Sequence, residues 1–180
     1  MTDAEDNPVD VIFSAEVINK RVHELADEIK QAGLDNLLVI AVLKGSVIFA
    51  ADLIRALHDV GLSPEVDFIS LSSYRTGTQS SGRVEILRDI DLDVAGRNVL
   101  LVDDILESGR TLAFAKDLMS ARDALSVRSC VLLRKDTARA VAVDADFHAF
   151  DCPEVFVVGY GMDVAYRYRQ LPFVGYIRRE

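Results

Sequence analysis

The stretch Asn98-Val-Leu-Leu-Val-Asp-Asp-Ile-Leu-Glu-Ser-Gly-Arg-Thr-Leu112 joins an apolar run to two adjacent carboxylates and then to a hydroxyl-rich turn. Asn98 to Val102 has the length and composition of a central strand, and from Leu112 and Ala115 onward apolar residues recur at helical spacing. A strand, a short loop and a helix in this order are typical of a parallel α/β sheet. The segment 103–111 is therefore predicted to lie between the carboxyl end of a strand and the N-terminus of a helix, where such sheets bind ligands.

The residue types of the segment 103–111 indicate a site for a phosphate. A helix that begins there points free N–H groups and the positive end of its dipole at an anion. Asp103 and Asp104, one step earlier, can accept hydrogen bonds from sugar hydroxyls. The alternative is that these acids only finish the strand and that Ser108 caps the helix. Neither a Gly-Lys-Ser/Thr P-loop nor a Gly-x-Gly-x-x-Gly fingerprint occurs here. The hydroxyl, glycine and main-chain donors of the predicted site are Ser108, Gly109, Arg110 and Thr111.

The remainder of the chain repeats the alternation of strand and helix. Ser14 is placed to cap a helix that ends near Gly33, and a second helical pattern runs from Phe49 to Gly61. The predicted fold class is therefore α/β, with a mainly parallel twisted sheet flanked by helices on both faces, in one domain over residues 1–180. The segment of about residues 72–83 is rich in Ser, Thr and Gly, fits neither period, and is predicted to be a mobile loop. Further strands are predicted at Leu37 to Val42, Val66 to Leu71, Val127 to Leu133, Phe147 to Phe150 and Val155 to Val158.

Composition and charge argue against several classes of function. Half of the 180 residues are apolar, which suits one compact domain, and the formal net charge is −9 with Lys and Arg spread along the chain. Such a surface repels a phosphate backbone, so nucleic acid is not an expected partner. The lack of a signal-peptide pattern and of a membrane-length apolar run predicts a cytoplasmic protein that does not bind membranes. Cys130 and Cys152 lack the spacing of metal or redox sites and are expected to be buried thiols.

The segment 103–111 resembles the phosphoribosyl-pyrophosphate motif of type I phosphoribosyltransferases, in which an apolar strand leads to two acids and a Thr/Ser-Gly-x-Thr turn. Beyond it, nearly the whole chain resembles the hypoxanthine-guanine phosphoribosyltransferases. The resemblance implies the type I fold, with a small hood formed by the termini. It also implies purine salvage, in which hypoxanthine or guanine reacts with 5-phosphoribosyl 1-pyrophosphate to give IMP or GMP and pyrophosphate. Mg²⁺ would be the cofactor, and the assembly a homodimer or homotetramer. The other matching residues are Val42-Leu-Lys-Gly45, Ser73-Tyr74, Leu133-Arg-Lys135 and Phe156-Val-Val-Gly-Tyr160, followed by Asp163 and Arg169.

For the sugar and its 5′-phosphate, the resemblance implies that Asp103 and Asp104 hold the ribose hydroxyls, directly or through Mg²⁺. Glu107 to Thr111 would wrap the 5′-phosphate, in agreement with the physical argument above. Asp163 matches the family's metal-associated aspartate, although its spacing alone favours a surface charge. Mg²⁺ prefers hard oxygen ligands and usually binds one or two carboxylates together with substrate phosphates and waters.

For the pyrophosphate, Lys44 and Gly45 match the family's pyrophosphate loop, where the Leu43-Lys44 peptide bond can be cis. Arg169 matches the arginine that contacts pyrophosphate. Without the resemblance, a solvated Lys-Gly turn and a surface arginine are the alternatives. Ser73 and Tyr74 match the pair that the family closes over the reaction centre, which would exclude water from an electrophilic ribosyl carbon. A merely flexible loop is the alternative there. The histidines His23, His58 and His148 match none of these positions and are expected to be structural or solvent-exposed.

For the base, Lys135 matches the lysine that donates a hydrogen bond to the purine 6-oxygen. An ammonium can only donate, so it favours a 6-oxopurine over the 6-amino group of adenine. Phe156 matches the aromatic residue that stacks on the base, and Val157 the residue whose main-chain groups pair with its edge. A solvated charge run around Lys135 and an inward-facing strand phenylalanine at Phe156 are the alternatives.

Glu107 departs from the family's pattern, which commonly has Asp at this position. The resemblance makes it the candidate catalytic base that removes the proton from the purine N7. Its extra methylene moves the carboxylate oxygens by about 1.5 Å, the length of a carbon–carbon bond.

Two other functions remain open at this point. One is a phosphoribosyl-pyrophosphate-sensing regulator that reuses the fold, although a DNA-binding regulator should carry a basic surface or an added helix-turn-helix. The other is a xanthine-preferring phosphoribosyltransferase, because the sequence does not rank hypoxanthine, guanine and xanthine.

Overall fold

The computed structural model describes residues 9–73 and 83–178. Strands and helices alternate as predicted up to residue 73, whereas residues 126–177 contain strands and no helix. The helices are α1 (Ala15–Gln31), α2 (Val47–Asp59) and α3 (Arg110–Ala121). The strands are β1 (Val9–Phe13), β2 (Leu37–Leu43), β3 (Glu65–Ser73), β4 (Val84–Arg88), β5 (Asn98–Leu106), β6 (Ser126–Lys135), β7 (Phe147–Cys152), β8 (Val157–Val158) and β9 (Val174–Ile177).

Six of these strands form the main sheet, in the order β4-β3-β2-β5-β6-β7. All neighbouring pairs are parallel except β3 and β4, which are antiparallel. The prediction of a mainly parallel sheet is therefore confirmed. Because parallel strands end at the same edge of a sheet, the residues that follow β2, β5 and β6 lie together at that edge.

Helices cover both faces of the main sheet, as predicted. On one face α1 and α2 bury residues such as Leu25 and Leu53, and on the other α3 buries Met119. The predicted cap of α1 is confirmed, since Ser14 Oγ accepts a hydrogen bond from Val17 N at 3.4 Å. None of the helices in the described part of the chain is long and apolar enough to cross a membrane.

The two cysteines are buried free thiols, as predicted. Burial raises the pKa of the Cys130 thiol and also that of the Cys152 thiol. Both thiols therefore stay protonated at neutral pH and behave as small apolar side chains.

A second, antiparallel sheet in the order β1-β9-β8 joins the two ends of the described chain. Val9 pairs with Ile177, and Val157 pairs with Tyr176. This sheet is the hood that the resemblance implied. The sequence did not predict β1 or β9, and β8 covers only Val157–Val158 of the predicted strand Val155 to Val158. Their partners are far away in sequence, so no local period marks these short strands.

The main sheet extends β5 to Leu106, beyond its predicted end at Val102. Asp103 pairs with Val131 and Ile105 with Leu133, so the backbone of β6 supplies partners for the extra residues. The two acids thus belong to the strand itself. The predicted loop of about residues 72–83 begins later than expected, because β3 runs to Ser73. Residues 74–82 lie outside the described residues.

Candidate active site

A cavity of about 580 Å³ opens at the carboxyl edge of the main sheet, beside the N-terminus of α3. It is lined by the residues that follow β2 and by the segment 103–111. The predicted site residues at its wall are Lys44, Gly45, Asp103, Asp104, Glu107, Ser108, Gly109, Arg110 and Thr111. The fold therefore brings together two stretches that are about 60 residues apart in the sequence, as expected where parallel strands share one edge.

The predicted phosphate site is the turn from Ser108 to the start of α3 at Arg110. Gly109 adopts a φ of 79°, and a Cβ atom there would lie 2.5 Å from the carbonyl oxygen of Val141. Glycine is thus required both by the left-handed backbone and by the close packing. Arg110 N donates to Ser108 Oγ at 3.4 Å, and Val141 N donates to Ser108 O at 3.1 Å. These contacts fix the turn so that the N-terminus of α3 borders the cavity, with its dipole oriented for an anion.

The two acids at the end of β5 are withdrawn from solvent. Asp103 is 7% exposed, and its Oδ1 accepts a hydrogen bond from Asp104 N at 2.9 Å. Burial and the neighbouring charge of Asp104 raise the pKa of Asp103 well above its usual range. Burial also raises the pKa of Asp104, although hydrogen bonds and the positive charge of Arg169 partly offset this effect. Such a pair is stabilised by a cation or by hydroxyl donors that approach from the cavity.

The donor set of this site suits Mg²⁺, because both acids offer hard oxygen atoms and crowd negative charge at the cavity wall. Within residues 9–73 and 83–178, no cluster of three or more His, Cys, Asp or Glu side chains could hold a metal by itself. The arrangement matches the usual binding of Mg²⁺ by one or two carboxylates, with substrate oxygens and waters completing the shell.

The Lys-Gly turn, Lys44 and Gly45, packs directly against these acids. The Leu43-Lys44 peptide bond is cis. A Cβ atom on Gly45 would lie 1.7 Å from Asp104 Oδ2, so only glycine fits at this position. Ser46, which is fully buried, donates from its Oγ to Val42 O at 2.6 Å and anchors the end of the turn. The backbone of the turn is therefore fixed at the cavity wall, whereas the Lys44 side chain is exposed, so the alternative of a solvated ammonium stays open.

Lys135 lies at the end of β6 and is not among the residues that line the cavity, but its ammonium reaches Glu107, which is one of them. Its Nζ donates to Glu107 Oε1 at 2.9 Å, and the Lys135 side chain is 7% exposed while that of Glu107 is 50% exposed. The alternative of a solvated charge run is wrong for this lysine. The pair places an ammonium and a carboxylate side by side next to the predicted phosphate site.

Asp163 and Arg169 form an ion pair outside the cavity wall, with Arg169 Nη2 2.8 Å from Asp163 Oδ1. Arg169 Nη1 also donates to Gly161 O at 2.6 Å, and Tyr166 N donates to Asp163 Oδ2 at 2.8 Å. Both side chains are thus held in a fixed network and are only about one quarter exposed. Their roles toward metal and pyrophosphate stay predictions.

Phe156 and Val157 lie at the start of β8, and neither is part of the cavity wall. Phe156 is 54% exposed, so the alternative of an inward-facing strand phenylalanine is wrong. The exposed ring is available to stack on a base, whereas Val157 is buried, and the roles of both residues toward the base stay predictions. Tyr74 and the side chain of Ser73 lie outside the described residues, and their predicted role in closing the site stays a prediction.

One part of the cavity wall was not predicted from the sequence. Several of the missed residues belong to the segment after β6, which covers the phosphate site through the contact between Val141 and Ser108. This segment has no strand or helix period, so the only available signal was its position after the carboxyl end of a parallel strand. The missed residues are Arg83, Thr137, Ala138, Ala140 and Glu154.

The mainly parallel sheet, with the predicted phosphate site and two acids at its carboxyl edge, fits the expected phosphoribosyltransferase fold, and residues 9–165 match the phosphoribosyl transferase domain family. The chain is 44% identical to the hypoxanthine-guanine phosphoribosyltransferase of Bacillus subtilis over 169 residues, covering 93% of this chain and 92% of the relative. It is 39% identical to the Dictyostelium discoideum enzyme of the same name, over 95% of this chain and 96% of that one.

Solved structures agree with this assignment. The hypoxanthine phosphoribosyltransferase of Trypanosoma cruzi in complex with the product IMP superposes with a TM-score of 0.87 at 36% identity, over 99% of this chain and 98% of that chain. A hypoxanthine-guanine phosphoribosyltransferase from Bacillus anthracis gives a TM-score of 0.86 at 42% identity, over 94% of this chain and 98% of that chain. The chain belongs to the hypoxanthine-guanine phosphoribosyltransferase family.

Proposed function

We propose that the protein joins hypoxanthine or guanine to 5-phosphoribosyl 1-pyrophosphate, forming IMP or GMP and releasing pyrophosphate. Membership of the family supports this reaction, and so do the names of the relatives. Xanthine is a possible third base. The proposed reaction places the protein in purine salvage.

The observation that carries the proposal is the contact between Lys135 Nζ and Glu107 Oε1, 2.9 Å apart at the border of the phosphate site. A 6-oxopurine has its 6-oxygen and N7 next to each other on one edge. With a proton on N7, that edge presents an acceptor beside a donor, which is the complement of an ammonium beside a carboxylate. Adenine would instead present its amino group to Lys135, and two donors would face each other.

The chemistry assigned to this chain's residues follows from that placement. As the bond from the ribosyl carbon to pyrophosphate breaks, the bond to the purine N9 forms and the proton leaves N7. Glu107 is half-exposed and lies beside the phosphate turn, where its carboxylate can accept that proton. Ser108 to Thr111 hold the 5′-phosphate, and Asp103 and Asp104 hold the ribose hydroxyls. Positioning of this kind lowers the barrier without any covalent intermediate.

The pyrophosphate end is assigned to the Lys-Gly turn and Arg169. The positive charge of Arg169 is one of the influences that lower the pKa of Asp104, which supports assigning the arginine to the same region of the site. Positive charge and main-chain N–H groups at this end stabilise the departing oxygens. Mg²⁺, assigned to Asp103 and Asp104 with Asp163 as a further candidate, would supply additional positive charge to the same oxygens.

A cytoplasmic location and a homodimer or homotetramer complete the proposal. Family resemblance supports both. Light scattering of the purified protein tests the assembly, and a monomer at all concentrations would contradict it.

The reaction itself is tested by mixing the purified protein with Mg²⁺, phosphoribosyl pyrophosphate and each of hypoxanthine, guanine, xanthine and adenine in turn. We expect nucleotide formation with the first two bases and none with adenine. Clear preference for xanthine would replace the proposed substrate. Binding of phosphoribosyl pyrophosphate without turnover of any base would contradict the enzyme and favour a sensing regulator.

A further inference from the structure

Two residues that do not line the cavity, Asp52 and Tyr160, join the segments that carry the predicted pyrophosphate contacts. Tyr160 Oη donates to Asp52 Oδ2 at 2.5 Å, which links the turn after β8 to helix α2. We propose that Asp52 and Tyr160 are positioning residues for the pyrophosphate end of phosphoribosyl pyrophosphate. This inference rests on the function proposed above, because it takes that compound as the ligand.

Asp52 lies on α2, which begins directly after the Lys-Gly turn. The end of that turn is anchored to the helix, since Val47 N donates to Lys44 O at 3.3 Å and Ala50 N to Ser46 O at 2.7 Å. The position of α2 therefore sets the position of the Lys-Gly turn. Whatever holds Asp52 in place also fixes that turn.

Tyr160 belongs to the turn Gly159 to Gly161, which supports Arg169. Gly161 N donates to Arg169 O at 3.0 Å, and Arg169 Nη1 donates back to Gly161 O at 2.6 Å. This turn is also packed on the Lys-Gly turn, because a Cβ atom on Gly161 would lie 2.4 Å from Gly45 O. Asp52, Tyr160 and Arg169 line one shared cavity on the far side of these contacts.

The backbone at Tyr160 needs this support. Its φ is 49°, a left-handed conformation that is costly for an aromatic residue and persists only where the surroundings enforce it. The side chain is 5% exposed, and its phenol has Asp52 as an acceptor. Burial and the hydrogen bond to Asp52 raise the pKa of Tyr160, so the phenol remains a donor at neutral pH. The contact thus fixes the position of the Arg169 segment relative to the Lys-Gly turn.

The predicted base contacts are held by other elements. Lys135 ends β6, and Val157 is paired with Tyr176 of β9. Loss of the phenol–carboxylate hydrogen bond should therefore weaken binding of the pyrophosphate end while leaving the base contacts in place. A role in general stability alone would not separate the two substrates.

The test compares Tyr160→Phe, Asp52→Ala and Asp52→Asn with the wild type. We expect Tyr160→Phe and Asp52→Ala to raise the KM and the Kd for phosphoribosyl pyrophosphate about tenfold, the effect of losing the charged hydrogen bond between the two residues. Asp52→Ala also removes the ion pair with the exposed Arg55, which should add little. The KM for hypoxanthine should change by less than about threefold. The KM and the Kd of Asp52→Asn for phosphoribosyl pyrophosphate should stay within about threefold of the wild-type values, because the amide oxygen still accepts a hydrogen bond from the phenol.

Tyr176→Phe is the matched control, since Tyr176 shares a hydrogen bond with Asp10 in the hood and neither residue lines the cavity. Its affinity for phosphoribosyl pyrophosphate should equal that of the wild type. Thermal unfolding of each variant confirms that it is folded. Titration calorimetry with phosphoribosyl pyrophosphate and Mg²⁺ gives the Kd without turnover. If the wild type formed no nucleotide, the proposed function would be wrong, but the Kd values would still test this inference. Unchanged Kd in Tyr160→Phe, or equal rises in KM for both substrates, would overturn it.

Discussion

Replacing Lys135 by Met removes the ammonium from the candidate active site and keeps an unbranched side chain. Lys135 is 5% exposed, and its Nζ donates to Glu107 Oε1 at 2.9 Å. The proposed function requires this ammonium to donate to the purine 6-oxygen. We therefore expect Lys135→Met to lose recognition of the base and to retain recognition of phosphoribosyl pyrophosphate.

The magnitude follows from one charged hydrogen bond. Such a bond contributes about 1.5–3 kcal/mol, which corresponds to roughly a 10- to 150-fold rise in the KM for hypoxanthine or guanine. Glu107 loses its partner as well, but its side chain is 50% exposed and remains hydrated. The affinity for phosphoribosyl pyrophosphate should therefore change by less than about threefold, because water replaces the ammonium as the partner of the half-exposed Glu107 carboxylate.

Steady-state kinetics with both bases, and titration calorimetry with phosphoribosyl pyrophosphate, measure the two effects. Lys116→Met is a matched control, because Lys116 Nζ also pairs with a carboxylate, Asp146 Oδ2 at 3.0 Å, and lies outside the cavity wall. It should leave the KM of both bases unchanged. Equal losses of base recognition and phosphoribosyl-pyrophosphate affinity in Lys135→Met, or the same losses in Lys116→Met, would refute the assignment.

Three further predictions concern the acids and the turn. Gly45→Ala should lower kcat/KM for phosphoribosyl pyrophosphate at least about 100-fold in steady-state assays, because the new Cβ would displace the side chain of Asp104. A kcat/KM equal to that of the wild type would show that the turn is free to move. Asp103→Asn should abolish turnover. It should also raise the free energy of unfolding by about 1 kcal/mol at pH 7, measured by urea titration. The reason is that the pKa of Asp103 is raised in the folded state, so ionisation of this carboxyl destabilises the fold. This gain should shrink as the pH falls toward the usual pKa of an Asp, where the wild-type carboxyl is protonated, and a gain that does not vary with pH would contradict the reasoning. Asp146→Asn should lower the free energy of unfolding by about 2 kcal/mol at pH 7, because hydrogen bonds from Lys116, Ser129 N and Arg128 outweigh burial and lower the pKa of Asp146. The wild type should lose the same contribution as the pH falls through that lowered pKa, so acid titrations that run parallel for the two proteins would count against it.

The central strand and the turn that leads into α3 could be predicted from the sequence because their signals are local. An apolar run, Gly109 and the helical spacing after Leu112 all lie within one short stretch. The end of β5 could not be predicted, since Asp103 is in the strand only because β6 offers Val131 as a partner. The hood strands depend in the same way on partners at the opposite end of the chain.

Within the candidate site, the burial of individual side chains was harder to predict from the sequence than the path of the backbone. Lys135 stands between Arg134 and Asp136, a pattern typical of a solvated run. In the structure Arg134 pairs with Asp151 of β7, while the alternation of the strand turns Lys135 to the opposite face. Phe156 reads as a core residue in the sequence but precedes a strand of only two residues, so its ring is left exposed.

The most direct test of the central claim, that the cavity at the carboxyl edge binds a 6-oxopurine nucleotide, is a crystal structure of the protein with IMP. We expect the 5′-phosphate to bind at Ser108 to Thr111 and the ribose hydroxyls to face Asp103 and Asp104. The 6-oxygen should lie within hydrogen-bond distance of Lys135 Nζ. A nucleotide bound elsewhere on the protein, or with its base directed away from Lys135, would contradict the account.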